Sequence, residues 1–250
     1  MTPNVSPAVE QRKRPSMSAA TRFYVAAVIV AGAGMLAAFV PHEYPRPALA
    51  LTYLAAMLTV SLFKLRVPLG RGCSTMSMAY VVDFMVLVTE GADLAMTIAS
   101  IGVLVQCTVN VRRRQPWYRT AFSVAAVALA VKSAGLAWSA FGGTILAPAA
   151  SVSIIPLAVA ALVYFAVNTG LVATAIALSS GVSLIGFWQA HFVRTAPGYL
   201  MAATVVAFFE MVMRPQVYLV LPAAAVPMII CHLMYLAWFR SIADRQPSPA

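Results

Sequence analysis

The sequence predicts an all-α, polytopic membrane bundle of about eight transmembrane helices, with both termini on the cytoplasmic side. Three observations predict it. Of the 250 residues, 62% are hydrophobic and only 10% charged, whereas a soluble domain carries about 25% charged residues. Apolar runs follow one another along the chain, divided by short segments rich in proline, glycine and basic residues. The basic residues are also segregated. With eight spans and an inner N-terminus, fourteen Lys and Arg fall on inner segments, and only Arg46 and Arg214 fall on outer ones. That asymmetry follows the positive-inside rule, and it supports an even span count, because losing one helix would place Arg112, Arg113 and Arg114 outside.

The formal charge of +10 would suggest nucleic acid in a soluble protein. Here the basic residues lie between apolar runs, and no basic patch is interleaved with aromatics, so nucleic acid is not an expected partner. The lipid bilayer is. Cys73, Cys107 and Cys231 are far apart with no paired spacing. Cys73 falls on the cytoplasmic side, and the other two read as small apolar packing residues.

Residues 1–20 hold Pro3, Pro7, Pro15 and the cluster Arg12-Lys13-Arg14, and are expected to be a disordered cytoplasmic tail. The membrane domain covers 21–240, and 241–250 form a short polar cytoplasmic tail. The first span, 23–40, is too long for a secretory signal. Its Ala31, Gly32, Gly34, Ala37 and Ala38 allow close helix packing. A proline-stopped turn, His42 to Pro47, leads to span two, 48–63.

The stretch from Lys64 to Arg114 then reads as a helical hairpin. Spans three, 76–89, and four, 94–110, flank the turn Glu90-Gly91-Ala92-Asp93, with basic residues at both ends. Trp117-Tyr118 form an interfacial aromatic anchor. Span five, 119–140, repeats Ala126, Ala130 and Ala134 at helical spacing. Gly142, Gly143 and Pro148 mark a loop, and span six, 153–179, is long enough to cross with tilt. Residues 183–195 mix apolar groups with Gln189, His191 and Arg194, which suits a helix lying in the interface. Span seven, 199–213, ends at Pro215. Span eight, 217–239, contains Pro222 and Pro227 and is expected to kink.

Ionisable groups at membrane depth cost roughly 2.5–3.5 kcal/mol on insertion scales, so they should face the bundle. Rise per residue places Asp83 ~10 Å above the inner end of span three, near Asn168 and Thr169 of span six. These three are the candidate ligand or signal site; interhelical hydrogen bonding is the structural alternative. The same count places Lys132 ~20 Å up, near Glu90 and Glu210, as an intramembrane charge cluster. Glu210 and Arg214 also stand in favourable i, i+4 order. His232 is alone, and no metal site is expected. No zincin, nucleophile-elbow, phosphate-loop or paired-carboxylate pattern occurs, so neither catalysis nor a cofactor is expected.

The phrases KLRVPLGRGCSTMSMAYVVDF, QPWYRTAFS and VYFAVNTGLVA resemble the membrane-embedded sensor (MASE-type) domains that precede cyclic-di-GMP enzymes. The hairpin with its acidic turn is also similar to the membrane folds of energy-coupling-factor transporter S components and LytS-type sensors. The resemblance implies a bacterial inner-membrane input domain that senses a small molecule or membrane state. Its implied partner is a cytoplasmic signalling enzyme or a second copy of the chain. The transporter likeness implies instead a small-molecule-binding subunit of an uptake system. No GGDEF or HD-GYP motif is present, so cyclic-di-GMP turnover by this chain is not expected.

Overall fold

The computed structural model describes residues 17–62, 65–69, 72–76, 79–109, 116–145 and 154–212. Most of the predicted N-terminal tail, the arginine triplet, Arg214, span eight with Cys231 and His232, and the C-terminal tail lie outside them.

Helices carry the fold. They are α1 Ala19–Phe39, α2 Pro47–Leu62, α3 Tyr80–Glu90, α4 Ala92–Thr108, α5 Trp117–Ala140, α6 Ile154–Ser180, α7 Leu184–His191 and α8 Ala196–Val212. Between α2 and α3 lies one departure from an all-helical chain. Strands β1, Leu65–Leu69, and β2, Gly72–Met76, pair antiparallel from Leu65 opposite Met76 to Leu69 opposite Gly72. Span three was expected from residue 76, but its first residues belong to this ribbon and the helix starts at Tyr80.

Local chemistry sets the ends. Ser18 caps α1, its Oγ accepting from the Thr21 amide at 3.1 Å. Pro47 opens α2, where a missing amide proton costs nothing. Gly91 separates α3 from α4 by a single residue. Its φ of 97° and ψ of 173° suit glycine, and its amide donates to the Val86 and Leu87 carbonyls at 3.1 Å each. Gly142 and Gly181, both at positive φ, follow α5 and α6.

Among the described residues, four helical stretches are long and apolar enough to cross a membrane: Ala19–Phe39, Trp117–Ala140, Ile154–Ser180 and Leu184–Glu210. The chain is thus a membrane protein by its helices. The last stretch takes in both the expected interface helix and the span after it. After α7 a 3-10 turn, Val193–Thr195, leads directly into α8, so the two helices form one broken path.

The bundle is a closed circuit. α5 packs between α4 and α6, α6 meets α8, α8 meets α3, and α3 returns to α4. α1 lies outside on α5, and α2 lies outside on α4. Gly32 is what lets α1 approach: an added Cβ would overlap Ala125 of α5. Ala126, Ala130 and Ala134 are buried, as their spacing anticipates.

α3 is the most deeply buried link of the circuit. Every residue from Val81 to Thr89 is buried. Eleven residues rise ~16 Å, about half the hydrocarbon thickness. It is a half-length helix sheltered by protein, which is the condition under which a chain can start or stop at membrane depth.

Candidate functional site

Asp83 lies in the first turn of α3 and is 3% exposed. Its Oδ2 accepts a hydrogen bond from the Tyr164 hydroxyl of α6 at 2.8 Å. Its Oδ1 is buried and has no donor among the described residues. The carboxylate stands at the positive end of the α3 dipole, which favours its charge, but no cation neutralises it within the described structure.

A cluster of aromatic rings from four helices, α3, α6, α7 and α8, adjoins it. Tyr199 of α8 stacks on Tyr80 with centroids 4.5 Å apart and lies 5.6 Å from the Tyr164 ring. Phe84 meets Tyr164 edge-on at 5.5 Å. Phe165 packs edge-on against Tyr199 at 5.4 Å and tilts against Trp188 of α7 at 5.6 Å. Edge-on and offset pairs of this kind add to simple apolar burial.

The predicted partners join the cluster one step removed. Asn168 hydrogen-bonds Tyr199, and Thr169 accepts from Trp188 Nε1 at 2.9 Å. Asp83, Asn168 and Thr169 are therefore linked through Tyr164, Tyr199 and Trp188. Tyr164 and Thr169 straddle the midpoint of the 27-residue α6. Two helix starts converge here, because a Cβ on Gly198, at the start of α8, would come 3.2 Å from the Tyr80 hydroxyl.

Sequence reasoning missed Tyr80, Tyr164 and Tyr199. One signal was available: Tyr164 stands four residues before Asn168, on the same helix face. A buried tyrosine hydroxyl also needs a partner, and Asp83 was the nearest candidate without one.

Lys132 and Glu90 each take a partner from outside the expected cluster. Lys132 binds Asp93, and its Nζ lies 3.7 Å from the Phe39 ring centroid. Glu90 pairs with Arg46 at 2.7 Å, and Arg46 also donates to the Thr89 carbonyl at 2.7 Å. The expected ion pair of Lys132 with Glu90 or Glu210 is thus replaced by two pairs supplied by neighbouring turns. The sequence places Asp93 in the turn, whereas it opens α4 and reaches Lys132 of α5. Glu210 is buried, and its carboxylate and that of Glu90 both act electrostatically on Tyr53. Arg214 lies outside the described residues.

Cys107 is half-buried at the end of α4, outside any disulfide among the described residues, and lies on a groove rather than in the core. Among the described residues no three His, Cys, Asp or Glu side chains gather as a metal site. Comparison with protein-family models, with curated proteins and with solved structures finds no match to this chain.

Proposed function

We propose that this chain is a membrane-embedded input domain of a bacterial inner-membrane signalling system. It binds a small molecule at the Asp83 cluster and passes the bound state to a cytoplasmic enzyme or to a second copy. In this reading both termini face the cytoplasm.

One observation carries the reading: the Asp83 carboxylate, closed among rings of α3, α6 and α8, keeps one oxygen without a donor among the described residues. A purely structural polar pair satisfies both its partners, and a buried exception calls for a cause. The relay follows from connectivity. Tyr199 and Trp188 belong to the broken α7–α8 path, so a ligand that draws Asp83 from Tyr164 also moves that path. The MASE-type likeness of the sequence supports the same role.

The second reading, a binding subunit of an uptake transporter, is favoured by the meeting of a half-length helix and a broken helix at mid-bundle, an arrangement that transporters use for substrate sites. Native mass spectrometry of the purified full chain tests both. A small molecule retained by the wild type and lost in Asp83→Asn supports a ligand site, and retention by both ends the claim for Asp83. Co-purification with a signalling enzyme supports the first reading, and with a transporter ATPase pair the second.

A further inference from the structure

A groove of about 650 Å³ opens on the side of the bundle away from Asp83. α5 is its floor, with Trp117 and Ala121; α1 supplies one wall, with Ala33 and Leu36, and α4 the other, with Leu104. The groove exists because its floor is low. Small residues on one face of α5 separate two walls that scarcely touch, and α1 packs on α5 along the side away from α4, through Val25 and Val28 and at the close approach of Gly32 to Ala125.

Its length has a natural measure. Gly32 lies opposite Ala125, so Leu36 stands at about the level of residue 129. From Trp117 to that level is about 12 residues, ~18 Å of rise. One leaflet of a hydrocarbon core ~30 Å thick is ~15 Å deep. The groove therefore matches one acyl chain entering from the membrane surface at the Trp117 end.

That end is also basic and aromatic. Trp117 is 77% exposed, in the position of an interfacial anchor. Arg22 on the first turn of α1 and Arg119 on the first turn of α5 are exposed at the same end. Arg112, Arg113 and Arg114 precede Trp117 by three to five positions in sequence. Basic residues at a membrane surface favour anionic headgroups.

We infer that this groove holds one acyl chain of an anionic phospholipid, with its phosphate at the Arg22 and Arg119 end. The site is separate from the Asp83 cluster and stands whether or not that cluster binds a ligand.

The test uses the full chain in nanodiscs of equimolar phosphatidylglycerol and phosphatidylcholine, released for native mass spectrometry. The wild type should retain one phosphatidylglycerol. Ala33→Phe, at an exposed position, and Ala121→Phe, on the floor, should each lose it. Arg22→Gln with Arg119→Gln should keep a bound lipid but lower the preference for phosphatidylglycerol by roughly tenfold. A thermal melt identifies any variant that has failed to fold, and Ala33→Phe keeps the test open if Ala121→Phe does fail. No retained lipid, equal retention of the two lipids, unchanged retention in a folded Ala33→Phe, or a dimer that covers the groove overturns the inference.

Discussion

At the scale of single residues, the hydrogen bond between Tyr164 and Asp83 is the most informative contact in the protein. Asp83→Asn keeps an oxygen that can accept from Tyr164, so its unfolding free energy should change by less than about 1 kcal/mol. Tyr164→Phe leaves the carboxylate with no donor among the described residues, and should cost about 1–3 kcal/mol. In the Asp83→Asn background the same Tyr164→Phe change should cost less. Equilibrium unfolding of the four proteins gives the coupling, and a coupling near zero would rule out the bond as a stabilising contact. Lys132→Met offers a second measurement. It keeps the apolar stem but loses Asp93 and the attraction to the Phe39 ring, so a loss of about 1 kcal/mol is expected. Asp93 is half exposed, which keeps the ion-pair share small. The sequence marks Asp83 and Lys132 as polar groups that should face the bundle, and both are buried. It could not choose partners, because Tyr164 and Asp93 become neighbours only through helix rotation and packing.

At the scale of elements, α1 and the path α7–α8 show what apolar patterning can and cannot decide. The run in α1 predicts a span, and its small residues predict a close approach. Which small residue makes that approach is a matter of facing: Gly32 meets Ala125, whereas nothing lies within 4 Å of a Cβ at Gly34. Gly32→Val should therefore loosen α1 and lower the melting temperature, while Gly34→Val should be close to neutral. Equal effects at both positions would contradict the packing of α1 on α5. The polar residues of α7 suggested an interface helix, but Trp188 turns its ring to Phe165 and Thr169 and draws α7 along α6. The ribbon β1–β2 falls in what the sequence marks only as the basic flank of the helical hairpin. Backbone pairing across a short connection leaves little trace in apolar periodicity.

At the scale of the whole molecule, composition was enough to specify a helical membrane protein, and charge placement gave a definite orientation to test. Reporter fusions should read cytoplasmic after Arg114 and periplasmic after Gly143. A periplasmic reading after Arg114 would remove the basis of the eight-span arrangement. The order of helices around the circuit was not legible. Apolar runs of similar length can pack in many orders, and the choice rests on a few contacts such as Gly32 with Ala125 and Asp83 with Tyr164. Thermal denaturation of the full chain with and without candidate small molecules then bears on the proposed role. A compound that raises the wild-type midpoint should leave that of Asp83→Asn unmoved.

The brevity of α3 has a consequence for how the protein is made. A helix of eleven residues with a carboxylate in its first turn cannot reside in lipid on its own strength when it leaves the ribosome. α4 follows it at once, but the rest of its shelter comes from α8, and the Tyr164 of α6 that bonds Asp83 is 81 positions later in the chain. The nascent protein must therefore wait, with α3 held at the insertion machinery or at the membrane surface until α8 has been synthesised. Chains arrested before Tyr199 should leave α3 open to protease or to thiol labelling, and chains arrested well after Val212 should protect it. The most deeply buried helix of the bundle thus enters the membrane only after helices that follow it in the chain have been made.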